Sequence, residues 1–249
     1  MYDVIIIGSG PAGISAAIYL KRAKKNILII SKGDSALNKA EKIENYYGIK
    51  SISGQELYNI GIEQAKNLDI PIEADEVINI SFDGHFVVTT VNREFEAKKV
   101  IIATGTNRVT PKINGIKEFE GKGVSYCAIC DAFFYRNKDV AVIGNGNYAI
   151  HEAKQLKPIV KSVTILTNGK KMIENRDANE FDVEEKPIRE FRGDSVIKEV
   201  EFEDNKSKKI EGVFVAVGTA TSTDLARKIG ALVKNNNIVV NENLETTVK

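Results

Sequence analysis

Two unbroken apolar runs, each followed by a glycine turn, set the reading of this chain. Asp3-Val4-Ile5-Ile6-Ile7 is a strand with no polar interruption after its first residue, as expected of a strand buried on both faces of a parallel sheet. It leads into Gly8-Ser9-Gly10-Pro11-Ala12-Gly13, after which Ile14, Ala17, Ile18 and Ala23 recur at roughly helical spacing. A second apolar strand is predicted at 27–30. The same order returns at Asp139-Val140-Ala141-Val142-Ile143, followed by Gly144-Asn145-Gly146-Asn147-Tyr148-Ala149, a helix to about Leu156 and a strand over 162–166. The two starts lie 139 − 3 = 136 positions apart, which marks a duplicated unit and excludes a short solenoid repeat.

The duplication reaches further. Val100-Ile101-Ile102-Ala103-Thr104-Gly105-Thr106 is echoed by Val213-Phe214-Val215-Ala216-Val217-Gly218-Thr219, each a buried strand ending in Gly-Thr. Ahead of the first lie alternating stretches at 76–82, 85–91 and 93–98, with a turn at Asp83-Gly84, which read as short antiparallel strands. Stretches at 196–203 and 209–211, split near Asn205, read as a reduced copy. The charged, weakly periodic segment 168–192 is expected to be irregular or marginally helical.

A strand, a glycine turn, a helix and a second strand form the context of a dinucleotide-binding fingerprint. In that context Gly8 permits the tight turn, Gly10 lets backbone approach a pyrophosphate, and Gly13 lets helix and strand pack closely. The helix N-terminus turns free N–H groups and a positive dipole end toward the phosphates. The expected fold class is therefore α/β: two Rossmann-like, doubly wound, three-layer domains, each with a small antiparallel β-meander. The boundaries read as 1–112 for the first and 113–241 for the second, joined near Pro111 to Gly115, with 242–249 beginning a return to the first.

Composition narrows the chemistry. The 249 residues are 43% hydrophobic and 28% charged, with a net charge of +1, which excludes collagen-like, disordered and disulfide-scaffold classes. No basic block offers a footprint for nucleic acid or an anionic membrane. No apolar stretch reaches spanning length, and the N-terminus has no basic region leading into an export signal. A cytoplasmic location is the expectation. With two cysteines and two histidines, a zinc site of Cys and His alone is not assembled.

The only thiols fall together, in Cys127-Ala128-Ile129-Cys130. Two intervening residues let both sulfurs meet in a small ring and favour a lowered pKa for one thiol, the condition for disulfide exchange. Half of a zinc knuckle, two buried small hydrophobes and chance are the competing readings. The zinc reading lacks its second ligand pair, and burial does not explain the adjacency. A redox-active disulfide between two dinucleotide folds fits better. Asp131 follows at once and is a candidate proton donor to a leaving thiolate, or a residue capping a turn. Phe133, Phe134 and Tyr135 either shield a ring system or fill the core, and core is the expected role for most of them. His85, beside a hairpin turn, and His151, on the second helix, are read as structural or exposed.

Taken together, Gly8 to Gly13, Ile43-Glu44-Asn45-Tyr46-Tyr47-Gly48, Ile102-Ala103-Thr104-Gly105 and Cys127-Ala128-Ile129-Cys130-Asp131 resemble the low-molecular-weight thioredoxin reductases, in order and spacing, across nearly the whole chain. The resemblance implies FAD on the first domain, held by Gly8, Gly10, Pro11, Ala12 and Gly13, with Asn45, Ala103, Thr104 and Gly105 along the flavin nucleotide. It implies Cys130 against the isoalloxazine, Cys127 as the thiolate that attacks thioredoxin, and Asp131 as acid–base partner. A homodimer, and domains that rotate to expose the disulfide, also follow from it. Gly144, Gly146 and Ala149 would form the NADPH turn, but the family's basic His-Arg-Arg run is replaced by Thr167-Asn168-Gly169, with Lys170 and Lys171 displaced. Bulky Tyr148 stands where the family has a small residue. These departures resemble the branch that takes electrons from ferredoxin. The expected function is an FAD-dependent thioredoxin-disulfide reductase. The alternatives are a flavin reductase of another dithiol protein and a truncated, non-catalytic module, since the family's closing strand, Gly-Asp and helix do not follow Thr247.

Overall fold

The computed structural model describes residues 1–33, 35–105, 111–234 and 237–248. Thr106, named above at the end of the first buried strand, lies outside them. Two compact units divide the chain, Met1–Asn107 with Thr221–Lys249, and Arg108–Ala220.

The first unit is built on a six-stranded sheet. Its elements are β1 (Tyr2–Ile7), α1 (Pro11–Arg22), β2 (Ile27–Ser31), α2 (Gly54–Asn67), β3 (Ile72–Ala74), β4 (Val77–Phe82), β5 (Phe86–Thr90) and β6 (Glu94–Ile102), and the strand order is β3-β2-β1-β6-β5-β4. The first four strands in that order run parallel, and β6-β5-β4 is an antiparallel meander. The strand pieces expected at 93–98 and from Val100 onward are one continuous strand. No turn residue separates them, and Ala97 pairs with Tyr2 on one side and Phe86 on the other. The unbroken apolar run of β1 has its reason here: Ile5, Ile6 and Ile7 are buried, each such side chain contributing about 1.5–3 kcal/mol. Val4, Ile6, Ile27 and Ile29 meet Ile14 and Ala17 of α1 in one core cluster.

The second unit repeats the plan around β7 (Val124–Ser125), α3 (Ala128–Asp131), β8 (Asp139–Ile143), α4 (Asn147–Leu156), β9 (Ser162–Leu166), β10 (Asp182–Glu184), β11 (Ile188–Gly193), β12 (Ile197–Phe202), β13 (Ser207–Lys209) and β14 (Gly212–Val215). Its sheet, β10-β9-β8-β14-β7, is parallel throughout, and β11-β12-β13 form the separate antiparallel meander. The expectation of an irregular or marginally helical segment over 168–192 is corrected: it contains β10, most of β11 and a 3-10 turn at Arg176–Glu180. β10 escapes a pattern reading because its single apolar residue, Val183, is exposed and backbone pairing to β9 holds it. In β11 only Ile188 and Phe191 join the core.

The duplication extends to individual bonds. The N–H of Ala103 donates to Ile7 O at 2.8 Å, and that of Ala216 to Ile143 O at 2.8 Å. Gly8 N–H reaches Ile30 O, as Gly144 N–H reaches Leu166 O. At the opposite end of each sheet an aspartate ties neighbouring strands together. Asp3 accepts from Asn26 N and Lys98 Nζ; Asp139 accepts from Lys161 Nζ and Ser162 Oγ.

The chain rejoins the first unit at Thr221, well before position 242. Thr221 and Asp224 form a reciprocal capping box that starts α5 (Ser222–Lys228), and α5 packs against β4. A short antiparallel pair, β15 (Val233–Lys234) with β16 (Asn237–Ile238), follows. No helix among the described residues is long and apolar enough to cross a membrane.

Candidate active site and cofactor turn

In the first glycine turn, the three glycines serve different ends. Gly8 has φ +108°, and a Cβ there would stand 2.4 Å from Ala103 O; a Cβ on Gly13 would stand 2.0 Å from Gly8 O. Those two positions therefore exclude any side chain. Gly10, by contrast, is in extended backbone, and a Cβ there would meet only Ser35 Oγ at 3.7 Å. Nothing among the described residues forbids a side chain at Gly10, so the open space above it is a cradle for a ligand that must approach the backbone. Gly10 caps α1 without a side-chain bond, and Pro11 and Ala12 present the first turn to solvent.

Of the other residues matched to the flavin nucleotide, Ala103 and Thr104 lie beside Gly8. The Thr104 hydroxyl oxygen is buried with no hydrogen-bond partner among the described residues, the mark of a group waiting for a ligand. Gly105 follows at φ +74°. Asn45 is not gathered in: it lies on an exposed loop closed by the Ile43–Ile52 bridge.

The second turn repeats the geometry with one change. A Cβ on Gly144, at φ +154°, would stand 2.2 Å from Ala216 O and 2.8 Å from the Ala149 Cβ, while Gly146 is open. Residues after β9 fold back onto this turn. Ile173 N–H donates to Asn145 O, Asn145 Nδ2 to Lys171 O, and Asn175 Nδ2 to Asn147 Oδ1. Tyr148 is fully buried.

Cys127 and Cys130 form a disulfide with a Cα–Cα distance of 5.3 Å. Cys127 is the N-cap of α3 and buried; Cys130 is exposed. The Cys130 N–H donates to Cys127 Sγ at 3.3 Å, a bond that favours charge on the Cys127 sulfur once the disulfide opens. Ser125, at the end of β7, knits the site together. Its Oγ accepts from Cys127 N at 3.1 Å and donates to Asp131 Oδ2 at 2.6 Å. On the other side, Ala128 N–H donates to the buried Glu152 Oε2 at 3.0 Å. Tyr135 anchors the segment to the sheet, its ring edge-on to Phe214 at 5.2 Å and covering Gly212, where a Cβ would be 2.3 Å away. Burial, with the Asp131 charge, pushes the Tyr135 phenol above its usual value.

The expectation that Phe133 and Phe134 fill the core is corrected. They are 66% and 74% exposed on a 3-10 turn beside the disulfide, because that turn directs only Ala132 fully inward and Tyr135 partly so. Ser125 and Glu152 carry no sequence motif. Glu152 did leave a trace, as a carboxylate on the apolar face of α4 that Ala149, Ala153 and Leu156 define. His85 lies 3.7 Å from Glu96 on the meander, and His151 is on α4.

With a paired disulfide and two fingerprint turns in place, the sequence profile of the pyridine nucleotide-disulphide oxidoreductases matches residues 2–249. The chain belongs to that family. A thioredoxin reductase of Aquifex aeolicus is 38% identical over all of this chain and 83% of its own, and one of Bacillus subtilis is 33% identical over all of this chain and 84% of its own. Among solved structures, the atypical thioredoxin reductase TRi of Desulfovibrio vulgaris Hildenborough superposes with a TM-score of 0.93 at 33% identity, covering 100% of this chain and 86% of that one. A ferredoxin-flavin thioredoxin reductase of Clostridium acetobutylicum gives 0.68 at 30%, covering 99% and 86%. Within the pyridine nucleotide-disulphide oxidoreductases the chain thus falls among the low-molecular-weight thioredoxin reductases, as an oxidoreductase acting on sulfur groups. FAD is the family's cofactor, and the Gly10 cradle and the orphaned Thr104 hydroxyl fit it.

Proposed function

We propose that this chain is an FAD-dependent thioredoxin-disulfide reductase whose electron donor is reduced ferredoxin and not NADPH. The observation that carries the first part is the Cys127–Cys130 disulfide with a carboxylate, Asp131, tethered beside it by Ser125. Gly8, Gly10, Pro11, Ala12 and Gly13 would hold the FAD pyrophosphate, and Ala103, Thr104 and Gly105 would line the rest, with Asn45 standing apart on its exposed loop. When bound, FAD supplies the electron pair that opens the disulfide. Opening consumes two electrons and two protons and leaves two thiols. Cys130, the exposed sulfur, would receive the electrons. Cys127, favoured as thiolate by the Cys130 N–H, then attacks the thioredoxin disulfide, and Cys130 closes the mixed disulfide to release reduced thioredoxin. Asp131 delivers the proton that the leaving thiolate requires. Phe133 and Phe134 give the partner an apolar surface beside the sulfurs. A homodimer is part of the same reading.

Support for the donor comes from the second turn. An adenosine 2′-phosphate needs fixed guanidinium donors at the end of β9, and an unphosphorylated ribose needs an acidic residue there. Thr167, Asn168 and Gly169 stand at that place, and Asn168 Oδ1 is committed to Ile188 N. The neighbouring cations Lys154 and Lys157 are paired with Asp177 and Glu180. The residues after β9 are bonded across Asn145 and Asn147. Gly144, Gly146 and Ala149 therefore keep the shape of a nucleotide turn without its recognition groups. The test is anaerobic thioredoxin reduction with NADPH, NADH and reduced ferredoxin supplied separately. Turnover with ferredoxin alone is the expected result, and rapid bleaching of the flavin by NADPH overturns the donor assignment.

A further inference from the structure

Glu152 is buried to 2% exposure in the wall of the disulfide site, yet none of the steps above uses it. It projects from the apolar face of α4, which packs on α3, and its Oε2 accepts the Ala128 N–H at 3.0 Å. Ala128 is the residue between the N-cap cysteine and the rest of α3, so the carboxylate stands one peptide unit from Cys127. Holding α3 in place does not require a charge, because a glutamine would accept the same N–H. A buried carboxylate at this point has an electrostatic consequence that a glutamine lacks. It opposes negative charge on the neighbouring sulfur, and the dithiol form is the one that carries such charge.

We infer that Glu152 is a positioning residue whose charge lowers the reduction potential of the Cys127–Cys130 pair, making the dithiol a stronger reductant of its partner. The inference rests on the disulfide being redox-active, as proposed above. The reaction concerned is the reduction of one disulfide by two electrons and two protons, with dithiothreitol as reductant in the test. A charge that destabilises thiolate shifts this equilibrium toward the disulfide.

The experiment equilibrates FAD-bound protein anaerobically in dithiothreitol redox buffers at about pH 8, near the ordinary thiol range. Cys127 and Cys130 thiols are then counted by gel shift with a maleimide-polyethylene glycol. Glu152→Gln keeps the N–H acceptor and removes the charge. It is expected to move the equilibrium about threefold to tenfold toward the dithiol, the size of a charge contact at the effective dielectric of a protein, where tenfold corresponds to about 30 mV. Glu152→Asp keeps the charge and should stay within about twofold of the parent. A Glu152→Gln equilibrium unchanged from the parent overturns the inference while leaving the disulfide reading intact. So does a Glu152→Asp shift as large as that of Glu152→Gln, since geometry and not charge would then be responsible. A parent disulfide that neither dithiothreitol nor dithionite acting through the bound FAD opens overturns both.

Discussion

A single methyl group separates the roles of Gly8 and Gly10. Gly8→Ala places a Cβ 2.4 Å from the Ala103 carbonyl at a positive φ, a cost of at least about 1–2 kcal/mol from the backbone alone. Its expected signature is a lowered urea midpoint. Gly10→Ala meets only an ordinary contact with Ser35, so its midpoint should stay near the parent while flavin is lost on dialysis, read from visible absorbance. A Gly10→Ala protein that retains flavin as tightly as the parent would remove the cradle from the argument. Ser125 offers a second residue-scale test. Ser125→Ala deletes the bond to Asp131, worth about 0.5–1.5 kcal/mol. The expected effect is a fall in kcat of about 2- to 10-fold with the thioredoxin KM unchanged.

Between the two cysteines and the sheet, α3 and the following 3-10 turn act as one element with two faces. Tyr135 and Ala132 fasten it inward, and Phe133 and Phe134 stand outward with Arg136 stacked over the Phe133 ring at 5.7 Å. Phe133→Ala with Phe134→Ala should raise the thioredoxin KM several-fold and leave the melting temperature almost unchanged, since exposed rings contribute little to folding. A large loss of stability would return these rings to the core. The sequence is a poor guide here because aromatic residues are buried on average and the turn has no period to orient them. It is a good guide to β1, β2 and β8, where a strand buried on both faces leaves an unbroken apolar run. β10 leaves none, because a three-residue strand held by backbone bonds needs no particular side chains. Cys127, Cys130 and the glycines were legible because their chemistry allows few substitutes. Ser125 and Glu152 were not, since a serine or glutamate acquires meaning only from the backbone N–H that the fold brings to it.

Across the whole molecule, the duplicated aspartates set an acid limit. Lys98, with Asn26 N–H, holds the Asp3 carboxyl below its ordinary 3.8. Lys161, with Ser162, does the same for Asp139. Burial would raise Asp75, but bonds from Thr90, Glu76 and Asn92 outweigh it and lower its pKa. A depressed carboxylate stabilises the fold above its unfolded pKa, and that stability is lost as pH falls through the folded value. Urea midpoints should therefore drop below about pH 4, and Asp139→Asn should flatten the drop. The raised Tyr135 phenol acts at the other limit: its contribution is complete below its ordinary 10.0 and declines as pH climbs beyond it. A midpoint that stays level through both limits would contradict these assignments.

The disulfide spans a sequence separation of only 3. Closing so small a ring removes little freedom from an unfolded chain, about 2 kcal/mol by the loop-entropy relation, against roughly 4.7 for a hundred-residue loop. The covalent bond that changes in every catalytic cycle is thus the one on which the architecture depends least. Reduced and oxidised chains can share one fold, because opening the disulfide withdraws only the small share of stability that so short a ring supplies.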